Sequence, residues 1–313
     1  MSTKRDDQEA SGKWTSLGRR ALLKLAGAAS VGLPLAAYLG GRPPWRGISA
    51  AQAQENPRAR ENYWQPEGHF IQETVDISDL DQHIIRARVD GEWREYYNRE
   101  LSQDFLDWNI GHRIQVLQDP MGEMDCLAGS HSGCLATYGA NRGDSVFTLN
   151  AAFKGFGFYP REPYIDDALD EILDTWSASQ MTKLGVLMDF YTDRAMWDFY
   201  LLSSLELYTT QEFETHSFLN QMANPVATIN WLAIPGSFEV RAIARLLHPQ
   251  DPNLSELDAK RALWVNAMHD YFHGGPVPDP DDLTYIACIY HVVEVFDNSP
   301  YPGPMGIRSM PPL

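Results

Sequence analysis

The chain has 313 residues and a formal net charge of −17, from 25 basic and 42 acidic side chains. That length allows a substantial core. The acidic balance argues against nucleic acid and anionic lipid as partners and suits a basic protein or a cationic substrate, although a solvated acidic shell explains it equally well. Three cysteines are too few for an iron–sulfur cluster, and the chain has no Gly-x-Gly-x-x-Gly after a strand, no Walker sequence, no Cys-x-x-Cys-His and no Gly-x-Ser-x-Gly elbow.

In chain order, the first feature is Gly18-Arg19-Arg20-Ala21-Leu22-Leu23-Lys24. A weakly apolar run, Leu25–Gly40, follows it and is interrupted by Pro34; then come Arg42, Arg46 and Ala51-Gln52-Ala53. Charged, apolar and small-x-small regions in that order make an export signal. The run is shorter than the roughly twenty apolar residues a spanning helix needs. This segment resembles the twin-arginine (Tat) signal, with Gly18 where Ser or Thr is common and Leu22 where Phe is common. The resemblance implies that the Tat translocon carries the chain, already folded, to the periplasm. It also implies removal of residues 1–53 by cleavage after Ala53, leaving no stable membrane span. The remainder is more acidic still.

Residues 54–68 read as a polar arm. His83–Val89, Asp90-Gly91 and Glu92–Tyr97 predict a β-hairpin, because Asp-Gly supplies the positive φ of a two-residue turn and Ile85, Ala87 and Val89 alternate with polar residues. Leu101, Phe105, Leu106, Trp108, Ile110, Ile114 and Leu117 recur at helical spacing. Residues 120–163 lose periodicity and are rich in glycine and proline, with one short strand expected at Ser145–Leu149. Such a loop is usually functional or pinned, and a Cys126–Cys134 disulfide is the expected pin. Cys126, His131 and Cys134 could instead share a metal, but a fourth ligand is not evident. Cys288 reads as a buried free thiol.

From Tyr164 the chain reads as helical. Helices are expected over 165–176, over Met181–Leu207 with a break near Thr192, and from a capping box at Thr209-Thr210-Gln211-Glu212 to Asn224. Three more are expected over Ser237–Leu247, from Ser255 to His273 before Gly274-Gly275, and over Asp282–Phe296. The expected fold is therefore mainly α. It comprises a cleaved signal (1–53), an arm, hairpin, helix and glycine-rich loop region (54–163), and a helical region with a proline-rich tail (164–313), which forms one compact unit with 69–163.

Several polar residues could carry chemistry on such helices. His269 and His273, four apart, would leave one helix face together, with Asp270 a quarter-turn away. Glu212 and His216 repeat that spacing, and His291 and Glu294 lie three apart. Brought together in a bundle, these residues could hold iron or zinc. Singly, each has an ordinary role: His273 at a helix C-terminus, Glu212 in the capping box, Glu294 on a solvated face. Asp189, Asp193 and Glu206 are weaker candidates. The dense aromatics could line an apolar pocket, but core packing explains them more simply.

The sequence therefore suggests the accessory (small) subunit of a periplasmic oxidoreductase. Its larger catalytic partner would hold the cofactor, a flavin or haem. A self-contained helical metalloenzyme using the His-x3-His pair, and an apolar-ligand-binding protein, are the alternatives.

Overall fold

A computed structural model describes residues 62–118, 129–233, 236–300 and 306–309. The Tat-like segment, the expected cleavage site at Ala53 and Cys126 lie outside them. A small sheet comes first: β1 (Val75–Asp76), β2 (Ile84–Val89) and β3 (Glu92–Tyr97) in the order β1-β2-β3. The expected hairpin forms, with Asp90 at φ 53 and Gly91 at φ 84, the pair of positive values its turn requires. Ile85, Ala87 and Val89 are buried and pack with Ile243. Helix α1 (Gln103–Gln118) follows where the periodicity put it.

The body of the molecule is an eight-stranded sheet, and here the mainly α expectation fails. It is built from β4 (Ser132–Tyr138), β5 (Leu149–Gly155), β6 (Gly157–Pro160), β7 (Trp197–Glu206), β8 (Val226–Ala233), β9 (Gly236–Leu247), β10 (Ile286–Asp297) and β11 (Ile307–Arg308). The order is β5-β4-β8-β9-β10-β7-β6, with β11 on β10, and each pairing is antiparallel. β5 and β6 are one stretch of chain interrupted at Phe156, whose ring is buried. Its first half pairs with β4 and its second with β7. The two ends of the strand path therefore meet at Phe156 and the sheet curls round on itself. Ser204 Oγ donates to the Gly155 carbonyl at 2.7 Å beside that junction.

Three expected helices are strands, for identifiable reasons. Met181–Leu207 splits into α3 (Gln180–Thr192), a single 3-10 turn and β7. β7 has a run of four consecutive buried residues and β10 a run of seven, and a strand buried on both faces shows no alternation to tell it from a helix. β10 packs against α5 (Glu256–His273) and, through Val293, against the cluster of the N-terminal sheet. In β9, Phe238, Val240, Ala242, Ala244 and Leu246 are buried at every second position. That is a strand period, obscured by Ile243, which is also buried because the hairpin covers it. β4, β5 and β6 fall within 120–163, read as loop with one short strand at Ser145–Leu149, and β8 falls between Pro225 and Ser237, where no element was expected.

The helices that remain are α2 (Ile165–Asp174), α3, α4 (His216–Ala223) and α5. The expected capping box at Thr209–Glu212 does not start a helix. Thr215 caps α4 instead, accepting from the Phe218 N–H. α5 begins at Ser255, whose Oγ accepts from Asp258 N–H at 3.1 Å, and stops at Gly274 with φ 75. Cys134, on β4, is a free thiol, which overturns the expected pin. Trp197, Trp231 and Trp264 are sealed in the core, where they meet other rings edge-on or tilted and, for Trp197 on Tyr191, stacked, so these three pack the interior.

Candidate functional site

The last turn of α5 presents His269, Asp270 and His273 beside Tyr285, on the segment entering β10. His269 Nδ1 lies 2.9 Å from Asp270 Oδ1, so the ring donates its Nδ1 proton to the carboxylate and keeps the Nε2 lone pair. The His269 and His273 rings are 4.7 Å apart, and Tyr285 meets His269 edge-on at 4.9 Å. His269 keeps 23% and Asp270 18% of its side-chain surface exposed. Asp270 is also enclosed by the αL turn at Gly274: Gly275 N–H donates to the Asp270 carbonyl, and a Cβ on Gly275 would lie 2.5 Å from its carboxyl carbon.

His131, at the head of β4, faces the same locus. Burial drives its pKa down to about 3, and the charges of Arg113, His273 and His269 add to the depression. Desolvation, then His269, lowers His273 as well, while burial raises the Tyr285 phenol. The floor is rigid. Arg113 donates to Asn109 Oδ1, Tyr191 OH and the carbonyls of Ser130 and Phe156 at 2.7–2.9 Å. Asn266 holds Tyr285 from both sides, accepting its N–H and donating to its carbonyl at 3.0 Å. The site therefore combines an oriented base, a neighbouring imidazole and a neutral phenol.

The other expected ligands do not join it. Glu212 is exposed in the turn before α4, and His216, buried at the start of α4, has Nε2 3.3 Å from the Ala140 carbonyl. Glu294 lies on β10, ion-paired with Arg241 at 3.3 Å and Arg308 at 3.4 Å. His291, also on β10, is fully buried near Arg245, Arg261 and Asp258. Asp193 caps the 3-10 turn before β7, accepting from the Ala195 N–H. Glu206 is buried and held by Lys154, Gln221 and Thr215. Among the described residues, no three His, Cys, Asp or Glu side chains converge to hold a metal. The helical-bundle metalloenzyme fails with the bundle it needed. His131 was visible in the sequence only as a residue between two cysteines, and nothing in the sequence marked Tyr285.

No family model and no curated protein matches the chain. Solved structures with a similar run of the backbone include HupZ from Group A Streptococcus (14% identity, 57% of this chain and 94% of that one, TM-score 0.29). General stress protein 26 from Bacillus anthracis str. Sterne is another (11%, 62% and 93%, 0.30). A third is a pyridoxamine 5'-phosphate oxidase-related, FMN-binding protein from Nostoc punctiforme PCC 73102 (14%, 60% and 80%, 0.29). At these scores none of their chemistry transfers, and the site rests on its own geometry. The curled antiparallel sheet of this chain itself removes the ground for the helical small-subunit reading.

Proposed function

We propose that the chain is an enzyme moving protons to and from a polar small molecule at the end of α5. The observation that carries this is the 2.9 Å contact between His269 Nδ1 and Asp270 Oδ1 at a partly open surface. A carboxylate on Nδ1 fixes the tautomer and the ring's orientation so that Nε2 is free to accept, as a general base requires. Asp270 supplies that, and His273 beside it can take the proton onward. Tyr285, whose phenol stays protonated well above neutrality, can donate a hydrogen bond to a developing negative charge. The test is a panel of hydrolysable and enolisable small molecules run against the protein and His269→Ala, with imidazole titration by NMR alongside. Turnover should vanish in the variant, and Asp270→Asn should cut it sharply, because the amide can no longer hold the Nδ1 proton as the carboxylate does. Turnover that survives His269→Ala overturns the assignment.

We also propose that this enzyme works in the periplasm after export as a folded protein, on the strength of Gly18–Lys24, the short apolar run and Ala51-Gln52-Ala53. Changing Arg19 and Arg20 together to Lys should leave the protein inside the cytoplasmic membrane. Fractionation that still finds it outside would rule out this route.

A further inference from the structure

The outer face of β5 is apolar and open. Phe153 is 80% exposed and Leu149 66%, with Phe147 (72%) and Val146 (93%) just before them and Leu232 (69%) on β8. Cross-strand register makes them one surface. Phe153 stands opposite Cys134, Ala151 opposite Ala136 and Leu149 opposite Tyr138, while Cys134 in turn faces Asn230, two residues from Leu232. β5 also ends the strand path: it pairs with β4, and no other described strand pairs with its opposite edge over 149–153. A long, uncharged, apolar edge is what a chain that stays single avoids.

We propose that this face binds a second copy of the chain, through antiparallel pairing of β5 with β5 about a two-fold axis at Ala151. Three observations favour a copy over a different partner. The segment Leu149-Asn150-Ala151-Ala152-Phe153 is self-complementary, since a two-fold at Ala151 sets Leu149 against the other copy's Phe153 and small against small. Charge gives a foreign partner nothing to recognise. Between Ser145 and Gly155 the one charged side chain is Lys154, which turns inward to Glu206. On a molecule of net charge −17, such a neutral strip is where two like-charged copies can approach. The pairing also brings the exposed Leu149 and Phe153 of the two copies side by side, with Val146 and Phe147 at the ends of the new ladder, so the most exposed apolar side chains at this edge gain apolar neighbours from the other copy.

The test is the sedimentation and light scattering of the full chain and of three variants. The protein should be a dimer. Phe153→Asp and Leu149→Lys should each give monomers of unchanged melting temperature, because both side chains are exposed in the single chain. Combining the two changes sets opposite charges against each other across the axis and should restore the dimer. A monomeric parent overturns the proposal, as does dimerisation that survives Phe153→Asp. A double variant that stays monomeric overturns the two-fold register.

Discussion

At the scale of single residues, two buried side chains behave oppositely because one is fully partnered and the other is not. Arg113 has four protein acceptors around one guanidinium. Its loss leaves the Phe156 carbonyl buried without its donor and the Ser130 carbonyl with Asn109 alone, so Arg113→Ala should cost about 2–3 kcal/mol in chemical denaturation. Lysine cannot rescue it, since an ammonium lacks the planar fork. Neither ring nitrogen of fully buried His291 has a hydrogen-bond partner. Burial, with the charges of Arg245 and Arg261 behind it, holds its pKa down to about 3. The unfolded chain therefore takes up a proton near pH 6.5 that the folded chain refuses. Stability contributed by His291 is intact above about pH 6.5 and drains away, by up to about 1.4 kcal/mol per pH unit, as pH falls toward 3. His291→Leu should be neutral or stabilising at pH 7 and should flatten the acid limb of the stability curve. An unchanged acid limb would mean that the proton is taken up elsewhere.

At the scale of elements, the legible parts of the sequence were those with a local chemical reason to exist. Asp90-Gly91 fixes its turn whatever surrounds it, and Ser255 with Gly274 brackets α5 by capping at both ends. Ser255→Ala should accordingly lower stability by about 1 kcal/mol. β7 and β10 were illegible because both of their faces are covered, and what covers them lies far away in sequence. The same division runs through the site. His269, Asp270 and His273 are neighbours on one helix and could be read together, whereas His131 and Tyr285 arrive by way of the sheet. Gly236 shows how tightly these elements close. A Cβ there would come within 2.2 Å of Trp108 Nε1 on α1. Gly236→Ala should therefore shift α1 against β9 and destabilise the protein by about 1–3 kcal/mol, measured by denaturant midpoint at unchanged m.

At the scale of the whole molecule, net charge and the apolar face of β5 oppose each other. Two copies each carrying −17 repel, and salt screens that repulsion over about 8 Å at physiological ionic strength without weakening apolar contact. Dimerisation should therefore tighten as salt is added, the reverse of an interface made of ion pairs. Sedimentation equilibrium across a salt series checks this, and looser association at high salt would point to charged contacts in place of Leu149 and Phe153.

β10 lies between β9 and β7 although it follows both in sequence, β7 by some eighty residues. Residues up to about Tyr285 are therefore made before this interior strand exists, and until then β7 and β9 each have an unpaired edge. The molecule cannot acquire its architecture piecemeal during synthesis, and a product cut short before Ile286 has an open sheet that invites aggregation. Closure of the sheet therefore waits until Ile286–Asp297 has been made, so β7 and β9 find their shared neighbour late, whatever order the other elements form in.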